Sequence, residues 1–431
     1  MEKTRSVKNK ITIFKKIIYG CEQISMDRRK FIKTAISVGA ISSLPVPWVF
    51  AQQRPKFIEP LNIDSLRWIS ADDLPKDFTI LNTKPLSAHP HEAMLSQPVT
   101  PAHHSFIRWN GLLPNFENID PTSWTFEVKG ESVVRPTTFT IDDLKTKFTQ
   151  HTQALVLECG GNGRKNFYPS TKGNQWNDAG VYCANWTGVL LSDVLHHCGI
   201  KDDAVYTGHH SPDLHLSGRG EAISRGVPIQ AALTENALIA WSMNGHPIPY
   251  MHGYPLRIVF GGRPGSVSQK CVTGISVRNK IHDGHKMAAP AYQVPNYPIA
   301  PGEHVANKDF HIIEEMIVKS LITSPPSGTE LRLGKELMVS GHAWAGLRRV
   351  EKVELSFDYG TTWHLAELKA PVNKGAWQQW QLSLSLLTKG YYEIWAKATD
   401  NLGDSQPVVQ PQWNPKGYLF NGCHRIAVRV I

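Results

Sequence analysis

The 431-residue chain is 41% apolar and 19% charged, a soluble globular balance with room for two domains, which argues against a disordered or membrane-spanning class. The formal charge of +9 suggests an anionic partner, but ten of the 46 Lys/Arg and three of the 37 Asp/Glu lie in residues 1–51. The remainder holds 36 against 34 and is close to neutral, which argues against a nucleic-acid footprint.

Asp27-Arg28-Arg29-Lys30-Phe31-Ile32-Lys33 matches a twin-arginine export signal. A modest apolar stretch from Ala35 to Leu44 follows, and Val49-Phe50-Ala51 has the small-x-small form of a cleavage site. The stretch is too short and too broken by Gly39, Pro45 and Pro47 for a spanning helix. Either residues 1–25 extend the basic n-region or Met26 is the true start. Twin-arginine export carries proteins already folded, commonly around a cofactor.

Residues 52 to about 100 are rich in Pro, Asn and Asp and read as a long arm. Phe106 to Gly111 is a short aromatic strand carrying Arg108. Trp124 to Val128 alternates as a strand, turned by Lys129-Gly130, and Thr140 caps a short helix over 141–148. Ala154 to Leu157 is a buried strand that stops at Cys159-Gly160-Gly161, where the chain turns sharply. A cysteine there is either a small buried hydrophobe or a ligand. Ser192 caps a second helix ending near Gly199, and Pro228 stands near the first position of a third. Leu238 to Trp241 is a strand, Met243-Asn244-Gly245-His246 a hairpin signal, and His252 to Phe260 a further strand. Gly261-Gly262-Arg263-Pro264-Gly265 is a glycine-rich loop lacking the P-loop and dinucleotide signatures. Residues 279–309 are loop-like. From about Met316 four period-two segments, near 353–357, 379–384, 391–398 and 425–430, predict an immunoglobulin-like β-sandwich.

The six cysteines, Cys21, Cys159, Cys183, Cys198, Cys271 and Cys423, form no C-x-x-C, which excludes a c-type haem attachment, a zinc ribbon and a thioredoxin motif. Cleavage after Ala51 leaves an odd number, so at least one thiol is free or bound to something; the sequence assigns no disulfide.

Taken together, several blocks resemble the sulfite oxidase family of molybdenum enzymes: Phe106-Ile-Arg108, Leu157-Glu-Cys159-Gly-Gly-Asn-Gly-Arg164, Trp186-Thr-Gly-Val, Met243-Asn-Gly, His252-Gly-Tyr-Pro-Leu-Arg257, Lys270 and Trp413-Asn-Pro-Lys-Gly417. The resemblance implies an α+β fold in which a mixed α+β molybdopterin-binding domain, residues 52–315, precedes an immunoglobulin-like dimerisation domain, residues 316–431, behind a leader of residues 1–51. It implies that Cys159 is the thiolate ligand of a molybdenum–molybdopterin cofactor. Arg108 and Arg164 would face the substrate, with Tyr292 beside the metal. His252, Arg257, Ser268, Gln269 and Lys270, together with Arg108, would hold the pterin and its phosphate. A further pterin contact falls on His210, with Asp213 close by. Lys416 stands where some members carry an arginine reaching the site from a dimer partner. Asn110 replaces a histidine frequent in the family, and Trp109 beside Arg108 is a further variation.

The resemblance further implies a periplasmic enzyme that oxidises sulfite to sulfate by oxygen-atom transfer. A small anionic substrate would sit between arginines. With no haem expected in this chain, electrons would leave to a cytochrome c or a haem subunit, and a homodimer is expected, with neither nucleic acid nor membrane span. One alternative is the sulfane dehydrogenase subunit of a thiosulfate-oxidising complex. Another is an exported sulfoxide-type reductase, against which the C-terminal sandwich argues. A third is a non-enzymatic exported binding protein, which leaves Cys159 and the basic residues unexplained.

Overall fold

The computed structural model describes residues 67–431. The export signal, its cleavage site and the start of the expected arm lie outside the described residues. Among the described residues no helix is long and apolar enough to cross a membrane.

The fold is α+β, dominated by sheet, with three α-helices among the described residues. The first part of the chain departs from the arm expected of it. Thr79–Thr83 and Leu86–His89 form an antiparallel hairpin, and Ile107–Arg108 adds a third strand. Every residue of Leu86–His89 is buried, the polar Ser87 and His89 included, so burial does not follow the apolar–polar alternation of the sequence. This small sheet fixes Arg108 by pairing it with Ser87.

A five-stranded sheet forms the middle of the molecule. Gln150–Glu158 pairs with Val181–Leu190, which pairs with Leu238–Met243; the latter also carries His246–Pro247 and Arg257–Val259. The hairpin after Met243 turns at Asn244 and Gly245, with φ 54° and 80°, the left-handed pair that a two-residue turn demands. A four-stranded sheet of Thr137–Thr140, Thr125–Lys129, Gly274–Arg278 and Tyr206–His210 packs beside it. Helices Ile141–Lys147, Leu191–Cys198 and Ile229–Thr234 fill the space between, in a core holding Phe126, Phe139, Leu195, Ile239 and Ile275. Truncating a ring such as Phe126 to alanine there costs about 3–5 kcal/mol, because the cavity left behind cannot collapse.

Local chemistry explains the helix boundaries. Thr140 Oγ1 accepts from the Asp143 amide at 3.0 Å and Asp143 Oδ2 accepts from the Thr140 amide at 2.9 Å, a full capping box worth about 1 kcal/mol. The second helix differs from expectation. It starts at Leu191, so Ser192 lies inside it and the flanking Leu190 makes no side-chain cap. Gly199, at φ 75°, ends it, and Pro228 precedes the third helix rather than opening it. The strand expected over 252–260 is confined to Arg257–Val259, because Tyr250–His252 is a turn of 3₁₀ helix.

After Phe310–Ile312 the chain builds two facing sheets. One orders Lys319–Ser324, Glu336–Trp344, Gln378–Ser385 and Glu367–Leu368; the other orders Thr329–Leu331, His424–Val430, Gly390–Asp400, Val350–Ser356 and His364–Leu365. Their inner faces meet in a core of Val339, Val353, Trp380, Ile394 and Val428, the β-sandwich expected from alternation. All five described cysteines are free.

Candidate active site

Gln150–Glu158 carries the chain into the site. Buried from Ala154 onward, it delivers Cys159 to its end, where the Cys159 amide donates to Gly180 O at 2.9 Å. The turn then closes through the Asn162 amide, which donates to Cys159 O at 2.8 Å, and Gly163 sits at φ 80°. A side chain on Gly161 would stand 2.3 Å from Arg164 Nη2, so only glycine lets the guanidinium fold back on the turn. Pro264 bridges to Glu158, bringing the glycine-rich loop and residues 265–270 alongside Cys159.

These elements line a cleft that is partly open to solvent. Its wall includes Arg108, Cys159, His252, Arg257, Ser268, Gln269, Lys270 and Tyr292, eight of the residues expected from sequence. Asn110, Tyr182, Asp213 and Ser266 complete its polar lining.

The basic groups here have carbonyl and aromatic partners instead of carboxylates. Lys270 Nζ donates to Arg108 O at 3.0 Å and Met251 O at 2.5 Å, and lies 4.4 Å from the Trp109 ring centre. Arg257 Nη1 donates to His252 O at 2.8 Å and to Tyr182 Oη at 3.2 Å. None of Arg108, Arg164, Arg225, Arg257 or Lys270 joins an ion pair among the described residues. Burial, and then the Arg257 charge, hold the Lys270 ammonium well below the ordinary lysine range. Burial, then Lys270 and Arg257, hold His252 well below its ordinary value, so it is neutral at pH 7. Burial pushes the Asp213 carboxyl up. A short chain of bonds runs from Gln269 Nε2 to Ser211 Oγ at 2.6 Å, and Ser211 donates onward to Asp213.

Tyr292 holds a left-handed backbone at φ 51°, a conformation an aromatic residue adopts only where its surroundings impose it. Its hydroxyl donates to Asn110 Oδ1 at 3.3 Å, its ring stacks on Tyr418 at 5.5 Å, and Arg225 covers its ring at 4.7 Å. Arg225 is fully buried and was not singled out in the sequence; Nη1 donates to Ser266 Oγ at 2.6 Å.

Three expected residues are not on the cavity wall. His210 is spoken for elsewhere, with Nδ1 3.0 Å from Glu221 Oε1 and Nε2 2.8 Å from Ser276 Oγ. Asp213 takes the place on the wall that was expected of His210. Arg164 is buried beneath the turn, donating through Nε to Lys416 O at 2.7 Å and through Nη1 to Asn174 O at 2.9 Å, with Tyr418 5.2 Å away. Lys416 therefore meets the site first through its carbonyl, within the same chain. The sequence also missed Lys286, at φ 75°, whose ammonium is lowered by burial and by the charges of Arg108 and Lys416. Arg108 and Lys416 thus lie within electrostatic reach of Lys286.

The donors fit a phosphate-bearing, hydrogen-bonding cofactor. On the wall, Gln269 Oε1 and Trp109 Nε1 are buried without a hydrogen-bond partner, a cost that a polar occupant would relieve; Arg225 Nε and Nη2, next to Ser266, are likewise unpartnered. Among the described residues no cluster of three His, Cys, Asp or Glu could hold a metal alone. A metal at Cys159 must bring most of its ligands with it, as a dithiolene-bearing pterin does. Fold and site together define a molybdopterin-type oxidoreductase scaffold followed by a β-sandwich.

Comparison with known proteins agrees. Residues 113–286 match the oxidoreductase molybdopterin binding domain, and residues 310–431 match the Mo-co oxidoreductase dimerisation domain. The chain is 31% identical to mitochondrial sulfite oxidase of Rattus norvegicus over 368 residues, 82% of this chain and 65% of that protein. It is 30% identical to sulfite oxidase of Gallus gallus over 359 residues, 79% of this chain and 76% of that one. The sulfane dehydrogenase SoxCD from Paracoccus pantotrophus shares the fold, with a TM-score of 0.67 at 22% identity over 89% of this chain and 97% of that one. The chain belongs to the sulfite oxidase family of molybdopterin oxidoreductases. It spans about 65% of the length of the mammalian relatives it matches.

Proposed function

We propose that this chain is an exported, periplasmic molybdenum enzyme that oxidises sulfite to sulfate and passes the electrons to a cytochrome c or haem subunit, working as a homodimer. The observation that carries this reading is Cys159 in the wall of a cavity whose cations, Arg108, Arg257 and Lys270, have no carboxylate counter-ion bonded to them. Unneutralised, part-buried cations raise the local potential and select a small anion.

Each residue's part follows from its chemistry. Cys159 supplies a soft thiolate suited to a molybdenum centre. Arg257, Lys270, Ser268 and Gln269 would hold the pterin and its phosphate, with His252 neutral beside them. When bound, the cofactor supplies two-electron oxygen-atom transfer. Arg108 neutralises and orients the anion by charge-assisted hydrogen bonds, and Lys286 and Lys416 add positive charge near it. Tyr292 holds a hydroxyl against Asn110 at the same wall. Overall, sulfite and water give sulfate, two protons and two electrons.

The test is elemental analysis of protein produced with active cofactor synthesis, followed by assays for cytochrome c reduction with sulfite and, separately, with protein-bound sulfane sulfur. Stoichiometric molybdenum with sulfite-dependent reduction is expected. Turnover with the sulfane substrate alone would move the chain to a thiosulfate-oxidising complex, and absence of molybdenum would favour a binding protein.

A further inference from the structure

Side chains alternate along a strand, so the residue before Cys159 points away from the cavity. That residue, Glu158, is only 1% exposed. Its Oε1 accepts from Lys319 Nζ at 2.6 Å and from Asn162 Nδ2 at 2.9 Å, and its Oε2 accepts from Trp344 Nε1 at 2.8 Å. Lys319 Nζ also donates to the Asn162 carbonyl at 3.2 Å. Asn162 Oδ1 accepts from the Gly180 amide at 2.8 Å, next to the bond between Cys159 and Gly180. The network thus holds both ends of the Cys159–Asn162 turn.

Two of its four side chains belong to the sandwich. Lys319 opens the strand Lys319–Ser324, and Trp344 ends Glu336–Trp344. A buried ion pair is weak support for stability as such, because desolvating both charges offsets their attraction. Its distinct property is geometric, since a carboxylate with three donors converging on it has one low-energy place to be.

We propose that Lys319 and Trp344 are positioning residues: through Glu158 and Asn162 the sandwich fixes the turn that presents the Cys159 thiol. The sandwich is then part of the active-site scaffold as well as a dimerisation module. This proposal rests on the reading of Cys159 as the metal thiolate.

The test uses the full chain, with and without cofactor. One variant carries Lys319→Met with Glu158→Gln, removing both charges together so that neither is left buried alone; the second is Trp344→Phe, which removes one donor and keeps a smaller aromatic ring. Hydrogen exchange is followed in a peptide covering 157–163. In cofactor-free protein the double variant should exchange about tenfold faster in that peptide, with the strands Gly390–Asp400 and Thr125–Lys129 unchanged. In loaded enzyme kcat should fall about tenfold at constant KM. Trp344→Phe should show a smaller acceleration of about threefold in the same peptide, and it decides the matter if the double variant does not fold. Unchanged exchange at the turn, or equal acceleration throughout the core, would overturn the proposal. The cofactor-free measurement keeps it separate from the molybdenum reading, which fails on metal content instead.

Discussion

Two clefts lie near the strand Gln150–Glu158, one at its end and one alongside it, and both are lined by arginines. One contains Cys159, Arg108, Arg257 and Lys270; the other, between this strand and the sandwich, contains Val156, Glu158, Arg263, Arg348 and Arg349. In the second every arginine has an acidic partner. Arg263 meets Glu235 at 2.6 Å, Arg348 meets Asp400 at 2.8 Å, and Arg349 meets Glu351 at 3.0 Å. In the first, the single carboxyl on the wall, Asp213, accepts from Ser211, and the cations lean on carbonyls and rings. A cleft rich in arginine is therefore uninformative until its counter-ions are counted. Paired arginines fasten elements together, whereas cations without carboxylates leave an electrostatic demand for a ligand.

That contrast is open to attack at several points. The largest effect should follow Cys159→Ser, which replaces a soft thiolate by a hard hydroxyl. Turnover should drop by about 10³-fold or more, equivalent to at least about 4 kcal/mol, in protein of equal pterin content. Full activity in that variant would sink the molybdenum assignment. Next come Arg257→Met and Lys270→Met, each expected to weaken cofactor retention by about 1.5–3 kcal/mol, read as cofactor content after dialysis. Cofactor content equal to that of the parent would remove both residues from the site. Arg108→Gln should raise KM roughly tenfold or more, the equivalent of about 1.4 kcal/mol, with smaller change in cofactor content.

Acid should weaken both regions. Burial drives His209 to about 3, and His282 and His342 to about 4, against 6.5 in an unfolded chain. Between pH 6.5 and about 4 the unfolded chain takes up protons that the folded one refuses, so stability falls as pH falls, by up to roughly 1.4 kcal/mol per unit for each histidine. Asp213, with its carboxyl raised, acts in the opposite sense and offsets part of this. Tm measured at pH 7 and pH 5 should be lower at pH 5; an equal or higher value there would contradict the burial assigned to these rings. The smallest effect belongs to Arg349→Gln in the second cleft. Its pair with Glu351 is exposed, so it should cost less than about 1 kcal/mol and leave KM within twofold. An Arg349 variant that matched Arg108→Gln in KM would erase the distinction between the clefts.

Much of the local structure was legible before any tertiary contact was known. Thr140 and Asp143 announce their capping box by spacing alone, and Asn244-Gly245 its turn. The outer sandwich strands alternate because one face is wet. Legibility failed where burial was two-sided. Leu86–His89 is a run of only four residues between Pro85 and Pro90 whose polar Ser87 and His89 are buried with the rest, and the helix starting at Leu191 has no side-chain cap, so Ser192 drew the cap two residues too late. It failed again where a motif residue and its neighbour compete for one place. His210 and Asp213 are three positions apart, and only packing against Glu221 and Ser276 turns His210 away from the cavity.

The sequence by itself determined the turn at Cys159-Gly-Gly, the family to which the chain belongs and the change to a β-sandwich near residue 316, because these depend on residue type at short spacing. Only the tertiary structure decided which cations share the cavity, that Arg164 lies beneath the turn, and that Glu158 is held from the sandwich. Lys319 and Trp344 stand 161 and 186 positions beyond Glu158. No local spacing encodes contacts over such separations; they exist because the two sheets pack face to face and bury the strands that carry them.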